Sequence, residues 1–599
     1  MIQSVLVANR GEVAVRIIRA CRTLGIKPIA IFSEADTGAL WTRLADEAHC
    51  IGPASARESY LNIARIVEAA KACGVQAVHP GYGLLSESAE FARAVEEAGL
   101  GFVGPSPDTI ALMGDKVTAR AAARRSGLAV LAGSDGPVAG CDEALALAET
   151  IGYPIAVKAS FGGGGRGLRV VREKDELAEA LEQAGRESLA AFGRAEVFLE
   201  RFLDRPRHVE VQILGDEHGN VVHLGDRDCS VQRRYQKLLE EAPAPGLPTG
   251  MADRIRDAAV KLCQDVSYVG AGTVEFLADV RTGDFFFLEM NTRLQVEHGV
   301  TELVTGVDIV EEQLRIANGE PISFTQNDVK IQGHAIQARI TAEDPWDDFR
   351  PTPGLVTRLT LPLGPWLRLD FGIESGDPVV PHYDSMFGKI QAWADTRDRA
   401  CRRLDLALAA FSAQGVPTSA PYLRSILVSP TFLDILHHTG SLASEWQPDS
   451  SGRPEVATSS QDVGPPAAEP RVVERVVSVP WGGRFVDISI FARASGENSD
   501  AAQVAPRDRV QSGHSGATKA RAGNQVVAPM DAVVMAIACN PGDIVHRGKS
   551  LLQLEAMKME VVVPAAFDCR VETVEVKAGA MVKSGEVLVN VAPYDSADE

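Results

Sequence analysis

Leu554-Glu555-Ala556-Met557-Lys558-Met559-Glu560 joins two copies of one sequence pattern. At an offset of 37 residues Asp531 falls on Asp568, Val534 on Val571, Gly542 on Gly579, Val545 on Val582, Gly548 on Gly585 and Leu551 on Leu588. Each copy reads as short alternating strands with a glycine-containing turn. Ala528 to Asn590 is therefore expected to fold as a small two-fold β-sandwich. Lys558 falls just after the first copy, where a hairpin turn would expose it at one tip. An isolated exposed lysine is ordinarily a solvated charge. One flanked by two methionines at the junction of two such halves calls for another reading.

The rest of the chain is large enough for several domains, at 599 residues. Charged residues make up 23% and hydrophobic ones 45%, an ordinary soluble balance, and no apolar run is long enough to span a bilayer. Met1 to Ala8 runs straight into a strand with no basic n-region or cleavage site, so a cytoplasmic protein is expected. Nine cysteines between Cys21 and Cys569 show no paired spacing, against both a disulfide framework and a zinc site. A formal charge of −20 disfavours nucleic acid as a partner.

Upstream of the repeat lie polar, low-hydrophobicity stretches expected to be linkers, together spanning 447–523. Within them Val472 to Phe491 alternates like a β-hairpin around Trp481-Gly482-Gly483, as a docking element or as a cap on the linker. Residues 1–113 read as an α/β layer of Rossmann type: strand Val5 to Ala8, helix Glu12 to Leu24 with Val13, Ile17, Ile18 and Cys21 on one face, strand Lys27 to Phe32. No G-x-G-x-x-G turn follows the first strand. Residues 114–325 carry the chemical motifs, and 326–446 return to mixed α and β.

Three motifs stand out. Val157-Lys158-Ala159-Ser160-Phe161-Gly162-Gly163-Gly164-Gly165-Arg166-Gly167 offers free backbone N–H groups that can close over a triphosphate. No Gly-Lys-Ser/Thr follows, so it is not a Walker loop, and its place between two strand-like runs sets it apart from a flexible linker. Glu289, Asn291, Arg293, Gln295 and Glu297 alternate, so period two predicts all five on one face of an extended segment. With Glu275 on the preceding strand, Thr273 to Leu277, Glu289 and Asn291 can converge as oxygen ligands of the kind Mg²⁺ takes. The basic stretch Arg227 to Lys237 lines an anion site or is a surface charge run; composition does not decide.

These residues together resemble biotin carboxylase, an ATP-grasp enzyme, over about residues 1–446. The likeness rests on Ala8-Asn9-Arg10-Gly11-Glu12, His79-Pro80-Gly81-Tyr82-Gly83, Gly114-Asp115-Lys116, the glycine loop, Pro206-Arg207-His208-Val209-Glu210, Glu240-Glu241-Ala242-Pro243-Ala244-Pro245 and Glu289 through His298. Met557-Lys558-Met559 resembles the biotin acceptor of biotinyl domains, placed at 524–593. The whole chain thus resembles the α subunit of an actinobacterial acyl-CoA carboxylase. The implied architecture is multidomain α/β and α+β: a Rossmann-like N-terminal lobe, an ATP-grasp lobe, a mixed C-terminal lobe, linkers and an all-β biotinyl domain.

The resemblance also implies roles. Lys116, Lys158, Gly162 to Gly165, His208 and Gln232 would contact ATP, with Glu200 and Leu203 near the adenine. Glu275 and Glu289, with Asn291 beside them, would hold Mg²⁺ or Mn²⁺. Lys237, Arg293, Gln295 and Val296 would bind bicarbonate, Glu297 would be its general base, and Arg339 would stabilise the biotin enolate. Biotin on Lys558 would carry the carboxyl group to a carboxyltransferase β subunit in a hetero-oligomer, after attachment by biotin protein ligase. Acetyl-CoA and propionyl-CoA are the default acceptors. A two-subunit 2-oxo-acid carboxylase and a biotin carrier with an inactive ATP site are the alternatives. Phe161, Tyr235, Gln337, Gly299, Ala532, Ala566 and Cys569 depart from the family pattern without removing an assigned residue.

Overall fold

The computed structural model describes every residue except 135, 139, 160–168, 193–195, 449–471, 482–483, 494–523, 558 and 595–599. The chain separates into two compact units, residues 454–524 and the remainder. In the smaller unit Val472–Trp481 and Arg484–Arg493 pair antiparallel, as the alternation predicts.

The N-terminal lobe is a parallel sheet of β1 (Ser4–Val7), β2 (Lys27–Phe32), β3 (Glu47–Cys50), β4 (Ala77–His79) and β5 (Gly101–Phe102), in the order β3-β2-β1-β4-β5. Val5, Leu6 and Val7 are fully buried, as a strand covered on both faces requires. The helix Gly11–Thr23 lays Val13, Ile17, Ile18 and Cys21 against it, the face that the 3.6-residue period predicts. This is the Rossmann-type layer the sequence indicated.

Next, β6 (Ile155–Ala159), β7 (Arg169–Val171) and β8 (Val197–Arg201) form an antiparallel sheet around β6. The central element is an eight-stranded antiparallel sheet. It contains β9 (Arg207–Gly215), β10 (Val221–Arg233), β11 (Gln236–Ala242), β12 (Gly270–Asp279), β13 (Asp284–Asn291) and β14 (His334–Thr341). The order is β13-β12-β9-β10-β11-β14, continued by Met386–Ala394 and Leu367–Phe371. One sheet therefore runs through both middle segments. On β9 the period of two divides the faces: Val209, Val211 and Ile213 pack on the helix Met251–Asp265, while His208, Glu210 and Gln212 face the other way.

The C-terminal module consists of two four-stranded sheets. One orders Gln525–Val527, Val587–Pro593, Cys569–Val574 and Ile544–Val545; the other orders Met559–Pro564, Ser550–Ala556, Ala532–Ile537 and Met581–Val582. The 37-residue offset maps each strand onto its counterpart in the opposite sheet, so the sequence repeat is the two-fold of the sandwich. Gly542, Gly548, Gly579 and Gly585 hold the turns at φ between 83 and 98°, a region that suits glycine. Ala532 and Cys569, two of the departures, fill its apolar core. All nine cysteines are free, and among the described residues no helix is long and apolar enough to cross a membrane.

Candidate active site

The polar face of the eight-stranded sheet assembles a row of charges from four neighbouring strands. Glu289 on β13 pairs in register with Glu275 on β12, Glu275 with Glu210 on β9, and Glu210 with Arg227 on β10. Like charges directly opposite on a sheet repel. Two cations offset this. Arg227, fully buried, donates from Nε to Glu210 Oε1 at 2.6 Å. Lys237 Nζ donates to Glu210 Oε2 at 2.6 Å, Glu275 Oε1 at 2.8 Å and Glu297 Oε1 at 2.7 Å. The stretch Arg227 to Lys237 is thus a buried hairpin wall. Only its tip is exposed: Arg234 (φ 48°) and Tyr235 (φ 67°) form a left-handed two-residue turn. The departure at Tyr235 lies at that solvent-facing tip.

Glu275, itself buried, is ringed by protein donors. It accepts from His208 Nε2, Lys237 Nζ and Asn291 Nδ2, each at 2.8 Å, and from Gln295 Nε2 at 3.3 Å. Burial opposes charge on His208, but Glu275 outweighs it and raises the imidazole above its usual value. Two carboxylates in register, Glu275 and Glu289, with Glu289 exposed to the cleft, fit the oxygen-donor needs of a hard divalent cation. Asn291 presents its nitrogen to Glu275, and its oxygen accepts from Arg293 Nη2 at 2.8 Å.

The extended row expected across 289–297 ends early. β13 stops at Asn291, and the chain loops into the helix His298–Thr305, with Glu297 at its N-cap. The alternating side chains converge through one another rather than along a strand. Arg293 donates from Nη1 to Gln295 Oε1 at 2.9 Å and from Nε to Glu87 Oε2 at 2.8 Å. Val296 presents its carbonyl to Lys389 Nζ at 2.8 Å, and Lys389, fully buried, pairs with Glu12 Oε1 at 3.0 Å.

Glu297 is fully buried between Lys237 and Arg339, whose Nη2 lies 2.9 Å from Glu297 Oε2. Desolvation would raise its carboxyl; the Lys237 ammonium outweighs that and, with Arg339, holds it below the ordinary carboxylate range. Glu240 shares Arg339 through Nε, and burial first, then the Glu297 charge, push it up. Two neighbouring carboxyls driven apart in this way are the mark of an acid–base site. Gln337 sits in register with Glu240 and donates to it at 3.1 Å, a contact a glutamate could make only when protonated.

Around the small sheet, Glu200 is buried and paired with both Lys158 and Arg120, which lower its carboxyl against the desolvation that opposes them. Leu203 is half-buried, in the connection from β8 to β9, and Gln232 is buried on β10 opposite Lys237. Lys116 begins the helix Lys116–Arg125, and its charge acts on Glu289. Phe161 and Gly162 to Gly165 lie outside the described residues, as does Lys558. Gly299 has a local reason: a Cβ there would stand 2.0 Å from Gln391 Oε1. Sequence reasoning missed Glu210, Glu12, Glu87 and Lys389. A signal existed for two of them, Glu210 in the alternation of β9 and Lys389 as a lone charge inside an apolar strand.

Comparison with known proteins agrees with this geometry. Family models match the biotin carboxylase N-terminal domain at 1–110, the carbamoyl-phosphate synthase L chain ATP-binding domain at 115–325, the biotin carboxylase C-terminal domain at 337–444 and the biotin-requiring enzyme family at 524–591. The chain is 42% identical to the biotin-dependent acyl-coenzyme A carboxylase alpha3 subunit of Mycobacterium leprae, across 98% of both chains. It is 50% identical to a biotin carboxylase of Nostoc over 72% of this chain and 96% of that one. The biotin carboxylase domain of Hydrogenobacter thermophilus 2-oxoglutarate carboxylase, solved with MgADP and bicarbonate, aligns with TM-score 0.71 and 44% identity, covering 74% of this chain and 97% of that one. The chain is an ATP-dependent biotin carboxylase that uses Mg²⁺ and carries covalent biotin. It belongs to the α subunits of biotin-dependent acyl-CoA carboxylases, with carboxylase and biotin carrier joined in one polypeptide.

Proposed function

We propose that this chain fixes bicarbonate onto biotin held at Lys558 and passes the carboxyl group to a separate carboxyltransferase β subunit, for which acetyl-CoA or propionyl-CoA is the acceptor. Full-length likeness to an acyl-CoA carboxylase α subunit supports this reading over a 2-oxo-acid carboxylase, because it extends through the carrier domain. Biotin protein ligase would attach the biotin, and the cytoplasm is the expected location.

The observation that carries the reaction is Glu297, ionised and dry between Lys237 and Arg339. Bicarbonate is a poor electrophile until phosphorylated. Lys237, Arg293 and Gln295 would bind the small anion, a reading supported by Lys237 and Gln295 both donating to Glu275 Oε1 and Arg293 donating to Gln295; Val296 would offer its N–H, its carbonyl being held by Lys389. Glu297 takes the bicarbonate proton as an oxygen of bicarbonate attacks the γ-phosphorus and ADP leaves. Lys116, Lys158, His208 and the glycine loop would hold the nucleotide phosphates, with Gln232, Glu200 and Leu203 toward its base. In the present structure Lys158 pairs with Glu200, so nucleotide would have to draw it away. Glu275 and Glu289, with Asn291 beside them, would hold Mg²⁺, which would neutralise charge on the phosphate oxygens. Biotin supplies the nitrogen that accepts the carboxyl group. Arg339, fixed by Glu240 and Glu297, stands ready for negative charge developing beside it.

The test follows labelled bicarbonate with ATP on the biotinylated chain, then adds a carboxyltransferase and acyl-CoAs of increasing length. Label is expected on the chain and then on acetyl- or propionyl-CoA. Transfer to a 2-oxo acid instead would install the alternative, and absence of ATP-dependent label would leave an inactive carrier.

A further inference from the structure

We propose that the loop Pro378 to Asp384 of the carboxylase is the receptor for the carrier hairpin of the same chain, with Met557 as its anchor. This rests on the carboxylase reading above and adds where and how the carrier is received.

The strands Ser550–Ala556 and Met559–Pro564 pair up to Ala556 and Met559, with Met557 in the hairpin turn between them. Such turns demand left-handed backbone and favour Asn-Gly. Met557 adopts φ 50° there, a conformation that disfavours its side chain and that persists where surroundings enforce it. The N–H of the first turn residue has no ladder partner within its own hairpin. Here it donates to the carbonyl of Pro381 at 2.8 Å.

The side chain tells the same story. Met557 is 4% exposed, yet it belongs to the apolar cluster of Phe371, Val379 and Phe387 in the carboxylase, not to the carrier's core. An unbranched thioether suits a pocket shaped by another domain. The receptor loop is itself fixed. Tyr383 donates its hydroxyl to Ser33 Oγ or Ala54 O, each 2.6 Å away, and Arg10 stacks 4.2 Å over its ring. The loop also leads directly into the strand Met386–Ala394, whose Lys389 lies in register with Arg339 on the neighbouring strand. A main-chain hydrogen bond plus one methionine pocket thus holds the hairpin at the edge of the cleft that contains Arg339.

Two experiments on the full chain test this. An N–H···O=C bond brings the two Cα atoms roughly within the 4.4–6.8 Å that a disulfide spans. Pro381→Cys combined with Met557→Cys should therefore cross-link within one chain under mild oxidation, read by non-reducing electrophoresis and intact mass against the two single variants. No cross-link beyond those singles, or one between chains only, overturns the proposal. Met557→Asp, with biotin occupancy verified by mass, should label its own biotin at least tenfold more slowly while carboxylating free biotin at the parental rate. Undiminished labelling of its own biotin overturns the anchor. If the parental chain failed to carboxylate free biotin, the carboxylase reading would fall, while the cross-link would still report on docking.

Discussion

The eight-stranded sheet and the carrier's paired sheets are both antiparallel, yet they bury opposite chemistry. The large sheet and the loop beside it hide Glu210, Arg227, Lys389 and Glu297 completely, each matched by partners from other elements. Among the described residues of the carrier no charged side chain is buried, and Leu551, Leu552, Leu554 and Leu588 are. Reaction at a small anion needs charges held out of water, where they act strongly and tolerate no vacancy. A carrier needs a stable body and one reactive tip. Its chemistry can therefore be removed without touching its fold, whereas the cleft's cannot.

The largest effect should come from taking the chemistry from each region in turn. Glu297→Gln is expected to slow carboxylation of free and tethered biotin alike, by about 10²–10⁴-fold, the range of a lost general base. Lys558→Ala should abolish label on the chain and leave carboxylation of free biotin intact. Label rates with both acceptors check the pair, and equal loss in the lysine variant would break the division of labour.

Next come the bodies. Lys389→Met leaves Glu12 buried beside Tyr82 with its cation gone, and should destabilise the carboxylase by about 3–5 kcal/mol. Adding Glu12→Gln should restore much of that stability while KM for bicarbonate stays high and KM for ATP does not move, because Val296 has lost its carbonyl partner. Leu554→Ala in the carrier should cost about 2–5 kcal/mol of that domain alone. Calorimetry should show one transition falling, with free-biotin turnover unchanged. A shift of both transitions would mean that the domains melt as one.

How much of this was legible depended on whether a partner lay nearby in sequence. The two-fold of the carrier was readable because Gly542, Gly548, Gly579 and Gly585 mark identical turns in both copies. The hairpin of Glu275 and Glu289 was readable because a short turn joins its strands. The polar alternation from Glu289 to Glu297 named residues that meet but mispredicted the backbone. Alternation records which side chains share a destination, and here they reach it from a loop. Lys389, Glu12 and Glu87 were not legible as a group. Each is joined to the site across lobes, and no local period encodes such a pairing.

The smallest effect concerns acid. Glu241, 2% exposed, is held near a pKa of about 2, from an ordinary 4.5, although desolvation opposes it. His334 Nε2 and Arg397 Nε, each 2.7 Å away, keep it ionised, with His437 and Asp228 beside them. A folded pKa below the unfolded one gives stability that is complete above about pH 4.5. That stability is lost as pH falls toward about 2, on the order of 3 kcal/mol in all. The carrier contains no such buried carboxylate among its described residues, so its melting transition should move less over that window. Glu241→Gln should flatten the acid limb of the carboxylase transition toward that of the carrier, measured as midpoint against pH. If the two limbs already coincide in the parental chain, buried charge is not what separates the acid stability of these regions.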